Sequence, residues 1–480
     1  MIRAARALPA SPDILLPLAG AALTTAAAFV ATVVGPPLVV LFLAVVVAFV
    51  GVVVAFVRVP HVAVAVTIPL FAALPTIKAL YLPWAGPVKD GVALAAVAAA
   101  CVVTIRRNVR RERHPVDGWV LGAAALLMAL YFFNPGGGLN AQGYDFAWSQ
   151  GVRLAYEPLL LLLVGFTLDG ARRTFGWATV SLIVSGCLIG IYGVAQQALG
   201  HAKLVELGYE YNLQVRFYSG FLRSFGTLDD PFAYAAFLLF AMAAVVTWHR
   251  LSTRIVLSGV ILSAGLVVAY VRTAGIIGAA LLGIWLAQKD RIGAAVALLL
   301  SAIVVSVVIL FSTGGASESR TYAGDGGYVT LNGRTEAWEV AIGDTPAQVL
   351  FGQGVGQLGR AAERARYTLS GELEERASGK VEAVDSGYFA TVSDVGFVGL
   401  VVLLVLYARL FALAASAARA RLREGWLALA LLAVLMLDAT TRDSFAGFPT
   451  AFVGLLLVGI ALAAARERTL RGGSGDAATV

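Results

Sequence analysis

Charge is scarce in this 480-residue chain, where only 14% of residues are Asp, Glu, Lys or Arg. Soluble globular domains carry about 25%. The shortfall excludes a soluble enzyme, a disordered chain and a nucleic-acid-binding domain. Cysteine is nearly missing: Cys101 and Cys187 lie in separate apolar runs without C-x-x-C spacing, which leaves a disulfide framework or a zinc site unsupported. Only four histidines are present, and lysine supplies five of the 36 cations, the other 31 being arginine. No Gly-rich nucleotide loop is indicated either. Gly352, Gly354 and Gly356 have the spacing, but no strand of a βαβ unit precedes them, so they are read as turn-formers.

What the chain has instead is apolar length: 59% of it is hydrophobic. A membrane-spanning helix needs about 20 such residues, so fourteen spans use about 280. Runs of that kind fall at 13–34, 37–57, 62–82, 88–105, 116–133, 151–168, 175–199, 231–248, 255–271, 273–288, 292–311, 386–413, 425–440 and 448–465. Several are apolar all round, as a bilayer requires. The expected fold is an all-α polytopic membrane protein of about fourteen transmembrane helices. The basic N-terminus before the first run is read as part of a retained helix, not a cleaved signal. A tight turn at 270–275 is expected to divide 255–271 from 273–288.

The cations give an orientation. Alternate loops, with both ends of the chain, collect 21 Lys and Arg, including Arg106, Arg107, Arg110, Arg111 and Arg113 in one loop. The short loops of the other side hold five: Lys78, Lys89, Arg153, Arg272 and Arg442. Cytoplasmic loops are the basic ones, so both termini are expected in the cytoplasm of a cytoplasmic (inner) membrane. The expected organisation is helices 1–7 over 1–200, helices 8–11 with a first long outer loop over 201–311, a large extracytoplasmic loop at 312–384, helices 12–14 over 385–465 and a cytoplasmic tail at 466–480. The large loop begins Gly/Ser-rich and gains helical patterning at 335–342 and 360–376. Trp84, Trp148 and Trp338 fall near span ends, as interface aromatics do.

Ionisable groups at a membrane rim are expensive and therefore functional candidates. On the outer side these are Arg216, Arg223, Arg272, Arg334 and Arg442. Arginine keeps its charge and grips phosphate oxygens with a planar fork, which suits a diphosphate arriving on a lipid. The competing use of each is snorkelling or local pairing, and for Arg442 the adjoining Asp443 favours pairing. Their contexts are Arg223-Ser-Phe-Gly-Thr-Leu-Asp-Asp-Pro231, Tyr270-Val-Arg-Thr-Ala-Gly275, Gly333-Arg-Thr-Glu-Ala-Trp338 with Phe351-Gly-Gln-Gly-Val-Gly356 after it, and Asp385-Ser-Gly-Tyr-Phe389 followed by Asp394-Val-Gly-Phe-Val-Gly399.

In order and sidedness these four segments, spanning about 223–400, resemble the O-antigen ligase and polymerase family of bacterial envelope glycosyltransferases. The resemblance implies a GT-C-like architecture and a glycan donor linked by pyrophosphate to a polyprenol such as undecaprenol. The reducing-end sugar would pass to a hydroxyl of a glycan acceptor. It implies catalytic roles for Arg223, Arg272 and Arg334 at the diphosphate and for Asp385 as the base. Arg216, Asp229, Asp230, Tyr388 and Arg442 are the substrate-binding candidates. A turn or capping role competes for Asp229 and Asp230, and packing competes for Tyr388. Two departures stand out: Asp385-Ser386 replaces the ligases' His-Asn, and Val271 replaces the usual Ser before Arg272. The first tilts the reading to a polymerase of O-antigen or exopolysaccharide type, with ligase transfer as the alternative. A transporter or flippase for the same lipid-linked glycan is the rival of another class. Expected partners are membrane lipid, donor and acceptor, with a flippase and a chain-length regulator. No metal, cofactor or nucleic acid is indicated.

Overall fold

The computed structural model describes residues 36–111, 116–134, 141–209, 215–218, 221–248, 252–288, 338–358 and 386–475. The long helices are α1 (Pro36–Arg58), α2 (Pro60–Leu80), α3 (Val88–Val109), α4 (Gly118–Phe133), α5 (Ala141–Thr167) and α6 (Ala171–Glu206). A hairpin follows, β1 (Arg216–Tyr218) and β2 (Phe221–Arg223), and then α7 (Pro231–Val246), α8 (Thr253–Val268) and α9 (Arg272–Gln288). A short α10 (Pro346–Phe351) precedes α11 (Gly387–Arg419), α12 (Arg423–Asp438) and α13 (Thr450–Gly475). Among the described residues, five helices are long and apolar enough to cross a membrane: α2, α3, α6, α11 and α13. Five shorter apolar helices accompany them. The chain is a helical, multi-pass membrane protein.

Twelve of the expected runs coincide with helices, and the other two, 13–34 and 292–311, lie outside the described residues, as does most of 312–384. The expected turn between two runs is present, α8 ending at Val268 and α9 starting at Arg272, with Tyr270 at φ 49°. Three differences stand out. Helix α5 starts ten residues before its expected span, and within it Arg153 pairs with Asp90 at 2.9 Å. Helix α6 runs on to Glu206 past a break at Gly200, so part of the first long outer loop is helical. Helix α11 is broken at Gly396, whose φ of 69° and ψ of −173° are not helical.

Packing explains the patterning. Helix α13 is buried on every side from Thr450 to Ala465, which accounts for its lack of a polar stripe. Helices α5, α6, α7, α11 and α12 pack against it, and the bundle leaves apolar residues such as Val47, Leu188 and Val405 on the outside, where lipid replaces water as the contact.

The two ends of the bundle differ in charge chemistry. At one end lie the basic loops, tied by Arg107 to Asp169 at 2.7 Å, Arg409 to Asp117 at 2.7 Å and Arg468 to Glu424 at 2.9 Å. Glu467 also accepts from the backbone N–H groups of Ala171 and Arg172, closing the start of α6. At the opposite end lie the hairpin, α10 and the α12–α13 loop.

Candidate active site

The hairpin is the first part of the site. Its register places Arg216 directly opposite Arg223. Like charges facing one another across a strand pair are destabilising, so other interactions must hold this pair in place. They are present next to Arg223, in the Ser-Phe-Gly-Thr segment that follows it. Ser224 Oγ donates to the Gly193 carbonyl at 2.6 Å, and Gln197 donates to Ser224 Oγ and to the Leu222 carbonyl at 2.8 Å. Gln196 receives the Phe225 and Gly226 N–H groups and donates to the Gly226 carbonyl. Thr227 donates to the Ala72 carbonyl at 2.7 Å, joining α2. Beneath the strands, Leu204, Tyr209, Val215, Leu222 and Phe225 form a small apolar core of their own.

Arg223 then reaches away from this pedestal. Its Nη2 donates to the Tyr270 carbonyl at 3.2 Å, and its guanidinium lies 4.7 Å from the Phe232 ring centre. Ser224 N–H donates to the Val268 carbonyl, and Phe221 stacks on Tyr270. The hairpin is thereby docked on the turn from which Arg272 opens α9. Arg216, Arg223 and the backbone of Arg272 share one neighbourhood. Arg334 and Asp385 lie outside the described residues.

The remaining candidates have structural partners. Asp230 caps α7 by accepting from Ala233 N–H at 2.7 Å, with Pro231 at the first helical position. Asp229 is exposed beside it. Tyr388 donates its hydroxyl to the Met436 carbonyl at 2.9 Å and packs edge-on against Phe445. Arg442 is buried, 3.1 Å from Asp438 and 3.8 Å from Asp230, and it donates to Thr450 Oγ1 at 2.7 Å. Asp438, not the adjoining Asp443, is its close ion-pair partner. Its position is thus a strut between α7, α12 and α13.

A second charge cluster went unread as a unit. Lys89 Nζ is buried 2.9 Å from Glu157, is bonded also to Asp90, and lies 5.0 Å from the Phe452 ring centre. With Arg153 on Asp90 the four charges cancel. The sequence signal was available, since each residue stands at a helix start or in an apolar run, but their pairing spans α3 and α5.

The third part is a docked loop over a cavity. Helix α10 opens with a capping box, Thr345 with Gln348. The glycines after it are turn-formers, as expected, with φ of 85°, 113° and 85° at Gly352, Gly354 and Gly356. The loop binds the break in α11: Gln353 and Gly354 N–H both donate to the Ser393 carbonyl, the first at 2.7 Å. Asn134 donates to the Asp394 carbonyl at 2.6 Å and to that of Phe351. Gly356 N–H donates to Asp394 Oδ1 at 3.4 Å. Trp338 stacks on Phe389 with ring centres 4.7 Å apart, which brings the segment after Arg334 beside the start of α11. Under this loop a cavity of about 50 Å³ is lined by Tyr131, Thr391, Ser393, Asp394, Tyr407 and Asp443 among others. Asp394 was visible in the sequence as a carboxylate entering an apolar span, but no role attached to it. Among the described residues, no three His, Cys, Asp or Glu side chains cluster as a metal site would require.

Comparison with known families places this architecture. Residues 257–404 match the family model described as O-antigen ligase (Wzy_C). The match covers less than a third of the chain and takes in Arg272, Arg334, Asp385 and Asp394, while the hairpin arginines precede it. Among curated proteins nothing matches. The resemblance to the O-antigen ligase and polymerase family is borne out over that segment.

Proposed function

We propose that the chain is a membrane glycosyltransferase that moves an oligosaccharide from a polyprenyl pyrophosphate to an acceptor hydroxyl, in the manner of an O-antigen ligase. The observation that carries the reading is the Arg216–Arg223 pair, held on a rigid pedestal against the turn where the matched segment presents Arg272. Two arginines facing each other across the hairpin suit a diphosphate, whose negative charge grows as the sugar–phosphate bond breaks. Fixed cations stabilise that developing charge. This reading assigns Arg272 and Arg334 to the same anion site and an acidic side chain of the matched segment to the acceptor hydroxyl. The O-antigen ligase match favours a ligase over a polymerase. A polymerase is the second reading, because Asp385-Ser386 stands where ligases carry His-Asn.

The reading includes about fourteen spans, both termini cytoplasmic, and a reaction on the outer face of the inner membrane. Charge placement supports that orientation, since the basic loops and the arginine hairpin occupy opposite ends of the bundle. The donor tail stays in the bilayer while its headgroup reacts.

The test uses the full chain in lipid nanodiscs with a synthetic undecaprenyl-pyrophosphate oligosaccharide. Transfer only when a second, lipid-anchored sugar acceptor is added marks a ligase, and a ladder of lengths from the donor alone marks a polymerase. Arg223→Ala should lower turnover about 10²–10³-fold, as loss of one preorganised charge-stabilising donor does. Turnover unchanged in both Arg223→Ala and Arg216→Ala would remove the hairpin from the site.

A further inference from the structure

The cavity beneath the α10 loop has a wall chemistry opposite to that of the hairpin. Two acidic side chains, Asp394 and Asp443, line it, where the hairpin carries arginines. Four hydroxyl-bearing residues line it as well, Tyr131, Thr391, Ser393 and Tyr407. Ser393 and Tyr407 are each 1% exposed, and neither Ser393 Oγ nor Tyr407 Oη has a hydrogen-bond partner among the described residues. A buried hydroxyl left unpaired is costly, so a pocket that keeps two of them asks for a guest with its own donors and acceptors. At about 50 Å³ the space exceeds the roughly 10–15 Å³ that one water occupies. A hydroxyl or hydroxymethyl group of a sugar fits both the size and the wall: it donates to a carboxylate and accepts from Tyr407 or Ser393.

The backbone around Asp394 is also held in place. The Asp394 carbonyl is clamped by Asn134, the carbonyl before it by Gln353 and Gly354, and Asp394 Oδ1 by Gly356 N–H. The break at Gly396 allows this, because a continuous helix would use those carbonyls internally.

We propose that this cavity is the acceptor-hydroxyl site and that Asp394 is the base that takes the acceptor's proton. The inference rests on the transferase reading and deepens it. In the step, the acceptor oxygen forms a bond to the sugar's anomeric carbon as the bond from that carbon to the phosphate oxygen breaks. The bonding pair leaves on the polyprenyl pyrophosphate, and the hydroxyl proton goes to Asp394. Arginines at the hairpin and carboxylates in the cavity thus divide the work, one set for the leaving group and the other for the nucleophile.

Asp394→Asn and Tyr407→Phe test it, assayed in nanodiscs beside the wild type with the undecaprenyl-pyrophosphate oligosaccharide as donor. That compound and a lipid-anchored oligosaccharide serve in turn as acceptor. Asp394→Asn should lower kcat about 10²-fold or more, the usual worth of a positioned base, with the donor KM unchanged. Tyr407→Phe should raise the acceptor KM and leave the donor KM alone, a split that general loosening would not give. Turnover of Asp394→Asn equal to wild type overturns the base. If that variant fails to fold, Tyr407→Phe decides, and an unchanged acceptor KM overturns the pocket. No transfer by the wild type with either acceptor overturns the transferase reading and this inference with it. Wild-type turnover that EDTA abolishes and an added divalent cation restores makes the cavity a cation site instead.

Discussion

At the scale of single residues, the arginines that look alike in sequence separate by what they touch. Arg442 is enclosed by Asp438, Asp230, Ser444 and Thr450. Its replacement by Ala removes the cation facing two carboxylates, and breaking a buried pair costs about 3–5 kcal/mol. Arg442→Ala should therefore melt well below the wild type in detergent, read by intrinsic fluorescence on heating. Arg223→Ala should melt close to it, because its pedestal is made by the residues after it. The reverse order of melting would sink this division. Sequence alone pointed to pairing for Arg442, but toward Asp443, its neighbour in the chain. The actual partners are one helical turn back on α12 and at the cap of α7, and the second follows from tertiary packing, which hydropathy does not encode.

At the scale of elements, the helices were legible because a bilayer forces long apolar runs, while the interruptions inside them were not. Gly396 reads as an ordinary small residue in an apolar span. Its φ of 69° breaks α11, and a Cβ there would sit 2.1 Å from the Leu350 carbonyl oxygen. Gly396→Ala should push α10 and its loop off α11. Hydrogen exchange at Gln353 and Gly354, whose N–H groups rest on the Ser393 carbonyl, should rise by an order of magnitude or more, since about 1.4 kcal/mol lost is a tenfold change. Exchange unchanged there would show that the loop docks without the break. The Gly-x-Gly-x-Gly run was read correctly as a turn, because no strand preceded it. The surface on which it docks could not be read.

A second element-scale tie joins α4 to α11. Asp117, just before α4, caps it by accepting from Trp119 and Val120 N–H and pairs with Arg409 through both oxygens. The Arg409 hydrogen bond, with the two backbone donors, holds the Asp117 carboxyl below its ordinary value despite partial burial. A lowered value means that the contribution is complete above the unfolded value, about 3.9, and is lost as pH falls through the lower folded one. Because Arg409 is 39% exposed, the pair is worth about 1 kcal/mol or less. Asp117→Asn keeps the cap and removes the acid-dependent part. Its melting temperature should fall slightly below that of the wild type at pH 7, and the gap should narrow as pH falls below about 3.9. A gap that widens toward acid would contradict the assignment.

At the scale of the whole molecule, function depends on which end of the bundle faces which compartment. Arg58, Arg107, Arg172, Arg409, Arg423 and Arg468 sit at or near one end, cross-linked through Asp169, Asp117 and Glu424. That end is the cytoplasmic one if the positive-inside rule holds, and the hairpin and cavity then face outward, where a lipid-linked glycan is presented. Val109 lies exposed at the end of α3 beside the basic loops, and Lys203 lies exposed near the hairpin. In a chain freed of Cys101 and Cys187, Lys203→Cys should react with a membrane-impermeant maleimide on intact cells. Val109→Cys should react only after the membrane is opened. The opposite pattern would put the arginine hairpin in the cytoplasm, where the donor is still being built, and would favour a sugar-lipid synthase over a transferase of finished units. Reaction of both from outside would mean an even number of crossings between Val109 and Lys203, where α4, α5 and α6 supply three.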